Sequence, residues 1–236
     1  MIKFKEFLNE AQWMYHGTTY PKELTHIQRN DKDLKFDTSI GAHFAADPEV
    51  ANKFSKGINK SIYKSYVDNK GVVYKTKRPS RSELETVPQK KGHDDEDSVA
   101  SHVLSSVFSH PDNKDLFVKW HKSKFRSTHE QASNVHEKLS NKQNIPVDKE
   151  EYGYDDSNKN TFRSYVDHHG AYSLWNVNKF KDIHKEIVNK FIDHMKSKGK
   201  KGLVYRNTNS IETEGVDSPK SYIIFEPEKL SIEKHD

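Results

Sequence analysis

A chain of 236 residues suits one domain of ordinary size, or a domain that carries a large insertion. With 32% hydrophobic and 31% charged residues a single large core is not expected to run through all of it, yet 11% Phe, Trp and Tyr is too aromatic for a solvating, disordered chain. The absence of cysteine excludes disulfide scaffolds, thiol nucleophiles and Cys-based zinc sites, no apolar run nears the roughly 18 residues of a membrane span, and Lys+Arg 39 against Asp+Glu 35 is too even for condensing nucleic acid.

Ile2, Phe4, Phe7 and Leu8 fall on one face of a short amphipathic helix, with none of the long apolar run of a secretory signal. Trp13 to Thr18 reads as a strand that ends at a glycine turn, and Gly41 to Ala45 as a second short strand. Asp47-Pro48 then gives an N-cap and a first-turn proline, and Val50, Ala51 and Phe54 follow at helical spacing. Ile62-Tyr63 and Val72 to Tyr74 read as strands separated by a turn at Asn69-Lys70-Gly71.

Residues 81–170 are polar and irregular. A charge run at 89–97 and the stretch 155–160 read as loops. Val99, Val103, Leu104, Val107 and Phe108 form a helical stripe, and Leu116, Val118, Trp120 and Phe125 a second apolar group. The zone therefore reads as a helical insertion; polarity alone would make it a flexible linker. Beyond it, Ile183, Ile187, Val188, Phe191, Ile192 and Met195 repeat at three and four, which predicts a long amphipathic helix closed by Gly199, with Lys196 and Lys198 at its negative end. Gly202 to Tyr205 and Tyr222 to Phe225 read as strands on either side of a polar loop, 207–220. The 14 histidines are scattered without paired metal-ligand spacing, so no metal is expected.

Each short motif is weak alone: a strand ending His16-Gly17-Thr18, then Gly41-Ala42-His43-Phe44-Ala45 with a helix after it, then Ser221-Tyr222-Ile223-Ile224-Phe225-Glu226-Pro227 near the end. In this order they resemble the ADP-ribosyltransferase superfamily, in its branch with a His-Tyr-Glu site and in the transferase domains of phage polyvalent and injected proteins. The likeness covers roughly 13–80 and 171–232. It implies an α+β fold, a split antiparallel β-sandwich with flanking helices, binding NAD in the cleft between two small sheets.

The same resemblance implies the roles of the residues. Cleaving the nicotinamide–ribose bond passes through an oxocarbenium-like state, so the site must hold nicotinamide, orient the ribose and stabilise positive charge. His16 matches the histidine that bonds ribose hydroxyls. Gly17 matches the glycine whose backbone holds the carboxamide, and Thr18 sits where a small hydroxyl residue is usual. Phe54 matches an aromatic that stacks on nicotinamide. His43 stands where the family has its first stacking tyrosine, with Phe44 beside it. Ser221 falls at the family's catalytic glutamate, and serine supplies no negative charge. Glu212 and Glu214 lie a few residues earlier, where another branch carries a Glu-x-Glu pair, so Glu214, or else Glu212, is the expected catalytic carboxylate; without the resemblance both are loop charges. Glu226 and Glu228 are expected to face solvent.

Residues 1–10 resemble a second pattern, the capsid-targeting helix of internal head proteins of large tailed phages, which ends in Leu/Ile-x-Glu. Leu8-Asn9-Glu10 fits, with cleavage between Glu10 and Ala11; the other reading is an ordinary helix packed on the domain. The expected organisation is a targeting segment 1–10 and a transferase-like domain 11–236 with its insertion at 81–170. The expected function is a mono-ADP-ribosyltransferase, packaged in the capsid interior, injected into the bacterial cytoplasm and acting on a host macromolecule, protein rather than nucleic acid. Its assembly partners would be the prohead scaffold and protease. The alternatives are a non-catalytic effector or inhibitor of a host nuclease or defence system on a degenerate transferase fold, and an NAD glycohydrolase.

Overall fold

The β-forming run Trp13–Thr18 becomes strand β1, which lies inside a seven-stranded mixed sheet. A computed structural model describes residues 13–18, 24–29, 39–55, 71–89, 95–145, 160–169, 177–207 and 219–235. The other strands are β2 (Ala42–Ala45), β3 (Val72–Lys77), β4 (Leu84–Thr86), β5 (Gly202–Arg206), β6 (Lys220–Ile224) and β7 (Glu233–His235). Their order across the sheet is β4-β5-β6-β2-β1-β3-β7. The β4–β5 pair is parallel and all others are antiparallel. Six α-helices stand among the described residues: α1 (Pro48–Ser55), α2 (Asp95–Phe108), α3 (Lys114–Phe125), α4 (His129–Ser140), α5 (Phe162–His169) and α6 (Val177–Ser197). The chain is thus α+β.

Directly opposed residues in a sheet share a face. Met14, Ala42, Phe44, Tyr222 and Ile224 form one buried face, closed by Leu84 and Ile27. Ala45 on the other face meets Val50 and Ala51 of α1, with Tyr15 and Val73 at the margin. α1 starts as its residues dictate: Pro48 opens it, and the Asp47 carboxylate accepts from the Glu49 amide at 2.7 Å. The helix lies directly on the sheet. A Cβ at Gly17 would overlap the Ala51 carbonyl oxygen, and one at Gly71 the Ser55 carbonyl oxygen. Gly17 therefore has to be glycine for packing, whatever binds there.

Tertiary contacts divide the chain into a sheet unit and a helical unit, the latter spanning Glu96–His194. These limits fall later at both ends than 81 and 170. At the first end, Leu84, Glu85 and Thr86 pair with Gly202, Leu203 and Val204, so this stretch belongs to the sheet. At the second, the apolar stripe of α6 is buried in the helical unit, where Phe191 meets His102 edge-on at 5.9 Å. α6 ends as expected: Gly199 has φ 73°, its amide donates to the Lys196 carbonyl and the Lys200 amide to the Met195 carbonyl, each at 2.9 Å.

Phe117 is the hub of the helical unit. It is fully buried and packs on Phe108 (5.2 Å), Trp120 (5.7 Å) and Phe162 (5.8 Å). Ser127 and Tyr165 clamp His121 from both ring nitrogens, at 2.7 and 2.8 Å. α4 carries a reciprocal capping box between Thr128 and Gln131. The strand expected at Ile62-Tyr63 and the helix expected at 1–10 lie outside the described residues.

Candidate functional site

β1 and β2 are joined by a single register pair, Tyr15 with Ala45. Their outer neighbours pair along their lengths: β1 with β3 over six residues, and β2 with β6 over four. The seven-stranded sheet is continuous, and its β1–β2 seam carries the one register pair Tyr15 and Ala45. Beyond that rung, the carbonyl of His43 is met by a side chain. His16 Nδ1 donates to it at 2.8 Å. A carbonyl only accepts, so His16 Nδ1 carries the proton and Nε2 holds a lone pair while the ring is neutral. Burial lowers the His16 pKa; the carbonyl bond opposes this and the nearby His43 ring adds to it. The imidazole is neutral at pH 7, with Nε2 as an acceptor. It is backed by Phe44, ring centroids 5.5 Å apart, and Phe44 is 2% exposed. Phe44 holds the histidine from the core side.

His43 lies opposite Ile223 on β6, so its side chain shares a face with Ile223, Ala45, Ser221 and Tyr205. The Tyr205 hydroxyl lies 3.3 Å from His43 Nδ1 and donates to it when His43 carries its proton on Nε2. Ser221 is buried between Ala45 and Tyr205 in the same row, and its Oγ accepts from Asn207 Nδ2 at 3.3 Å. Thr18 closes β1 opposite Val72. Phe54, on α1, is 38% exposed, the one exposed large hydrophobic among the described residues.

Glu212 and Glu214 lie outside the described residues. Both ends of their loop are described. The Asn207 amide donates to the Pro219 carbonyl at 2.8 Å, and the Ala46 amide to the Lys220 carbonyl at 2.8 Å. Asn207 and Pro219 are therefore fixed beside β2, one residue from the Tyr15–Ala45 pair. Glu226 is half-buried and bridged to Lys196 at 2.7 Å and Lys229 at 2.9 Å, which lowers its pKa and occupies it structurally; Glu228 is exposed. Among the described residues no group of three His, Asp or Glu side chains is placed to hold a metal ion, and no helix is long and apolar enough to cross a membrane.

The structure thus brings His16, Gly17 and His43 to the gap between β1 and β2. It sets Phe54 on the helix packed against Gly17, and places Ser221 at the foot of the Glu212–Glu214 loop. Motif reading assigned no role to Tyr205 and Asn207, which meet His43 and Ser221. Alternation along β5 puts Tyr205 on the face of Leu203, but only the β5–β6 register reveals that this is the face of His43.

The chain matches no family model, no curated protein and no solved structure.

Proposed function

We propose that this chain is an NAD-dependent mono-ADP-ribosyltransferase, of split-sandwich architecture, that releases nicotinamide and transfers ADP-ribose to a host macromolecule. The observation that carries this reading is the interrupted β1–β2 pairing with His16 spanning the gap. A sheet opened at one strand pair exposes backbone groups to a ligand, and the only histidine on β1 stands at that opening with a neutral Nε2 able to accept from a sugar hydroxyl. Phe54 supports it: an aromatic ring left open on the neighbouring helix suits stacking on a flat heteroaromatic ring. NAD would be held by His16, the Gly17 backbone, Thr18, His43 and Phe54. When bound, it supplies the glycosidic bond to be broken. His16 orients the ribose, and the rings of His43 and Phe54 wall the base. The carboxylate role falls to the loop rooted at Asn207 and Pro219, with Glu214 as first candidate and Glu212 as second.

The test is incubation of the protein with labelled NAD and bacterial lysate, following both nicotinamide release and label on macromolecules, beside His16→Ala. Label on a discrete band that His16→Ala abolishes establishes the transferase. Release without label makes it a glycohydrolase. One observation favours a second reading. A buried serine bonded to Asn207 stands where the resemblance expects a glutamate. A packaged, non-catalytic effector on the same fold would bind NAD without turning it over, or ignore it.

Residues 1–10 lie outside the described residues, so packaging in the phage head and injection rest on their amino acids alone. Protein recovered from mature virions is expected to begin at Ala11.

A further inference from the structure

We propose that Tyr205 is a positioning residue for His43, and that the pair acts as one wall of the nicotinamide subsite in place of a single stacking aromatic. This rests on the NAD reading above and deepens it.

The geometry is specific. Tyr205, Ser221 and Ala45 form one row across β5, β6 and β2, and His43 lies two residues from Ala45 on the same face. The axes of β5 and β2 are two strand spacings apart, roughly 10 Å. Contact across that distance needs a long side chain on one strand and a small residue on the strand between. Tyr205 is the long one and Ser221 the small one. The phenol reaches past β6 to within 3.3 Å of His43 Nδ1, and Ser221 is left 4% exposed. The contact runs diagonally over β6, between Ser221 opposite Tyr205 and Ile223 opposite His43.

The bond also gives residue 43 two partners. Its carbonyl accepts from His16 and its ring meets Tyr205. An imidazole is smaller than a phenol and rotates about χ2 with little restraint. Held at Nδ1, it presents one fixed face, which is what a stacking wall requires. Without the hydroxyl the ring loses this tether, and more of its ordering is left to the ligand.

The experiment compares the full chain with Tyr205→Phe, His43→Ala and the double variant. KM and kcat are read from nicotinamide release, NAD binding by calorimetry, and the His43 ring nitrogens by 15N NMR without ligand. Loss of one hydrogen bond predicts a rise in KM and Kd for Tyr205→Phe of about three- to tenfold with kcat nearly unchanged. His43→Ala should raise KM further, and Tyr205→Phe should add nothing on that background. The His43 Nδ1 resonance should move in Tyr205→Phe. If the parent protein turns over NAD but Tyr205→Phe matches it in KM, or the effects add, the positioning role is overturned while the function stands. If the parent neither binds nor cleaves NAD, the function falls and this role with it, and the 15N shift still reports whether the bond exists.

Discussion

His16 Nδ1 reaches the His43 carbonyl at 2.8 Å, so a side chain fills the place of a backbone rung between β1 and β2. The contact does two things at once. It gives the His43 carbonyl a partner beyond the Tyr15–Ala45 pair, and it fixes the tautomer of the ring. His16→Ala removes both. On the proposed transferase reading, in which His16 orients the reacting sugar, nicotinamide release is expected to fall at least about a hundredfold. Stability should fall only by about 1 kcal/mol, one hydrogen bond's worth. His16→Asn, whose amide can donate to the same carbonyl, should recover stability but not turnover. Recovery of both in Asn would show that the ring is structural.

Gly17→Ala tests the helix contact. The added methyl meets the Ala51 carbonyl, which is backbone inside α1 and has nowhere to go. A loss of about 2–4 kcal/mol is expected, read as a drop of roughly 5–10 °C in Tm. A Tm unchanged by Gly17→Ala would mean that α1 does not rest on β1.

The two phenylalanines should part company. Phe44→Ala opens a cavity in the core and should cost about 3–5 kcal/mol. Phe54→Ala removes a ring already 38% exposed, so urea midpoints should barely move. NAD affinity should nonetheless drop, by about tenfold for a lost stacking partner. Equal affinity in Phe54→Ala and the parent would remove Phe54 from the site.

The helical unit should be acid-sensitive. Burial pulls His121 down to about 4, helped by the charge of Lys124, and burial alone pulls His184 to about 4. The unfolded chain, with histidines near 6.5, takes up protons first, so stability is full above that pH and is lost as pH falls from about 6.5 toward 4. At pH 5 each group should account for about 2 kcal/mol. Urea melts followed by tryptophan fluorescence at pH 7.5 and 5 check this, and His184→Leu should flatten the difference. Trp120 is a local reporter, packed on Phe117 and beside His121.

The carboxylate that the proposed transferase requires can be told apart by paired neutral variants. Glu214→Gln should abolish turnover while NAD still binds, and Glu212→Gln should not. The reverse pattern would move the role two residues; activity in both would return the loop to a carrier of surface charge.

Where the chain's residues act on near neighbours, structure could be read from them directly. Asp47-Pro48 starts α1, Gly199 stops α6, and the apolar runs at Trp13, Val72, Gly202 and Tyr222 become strands, because caps, φ > 0 and side-chain alternation act over a few residues. β4 and β7 went unread: Leu84–Thr86 and Glu233–His235 are three residues each, with no periodicity to see, and exist because a neighbour offers hydrogen bonds. α4 and α5 are polar helices whose buried faces include His136 and Tyr165, side chains that a pattern search counts as surface. At the site, His16 and Gly17 stood out by motif, but Gly17 has a packing reason as well. The Tyr205–His43 contact joins residues 162 positions apart, and nothing local to either marks it.

β4 and β5 are parallel neighbours, and the chain leaves the first and enters the second only after the whole helical unit. A parallel pair needs a return path of about a dozen residues or more. The seam is well sewn: the Lys201 amide donates to the Glu83 carbonyl at 2.7 Å and its ammonium meets the Glu83 carboxylate at 2.6 Å. The helical unit therefore occupies a slot that sequence length does not constrain. A change of length between β4 and β5 leaves the strands that carry His16, His43 and Tyr205 with their covalent order intact.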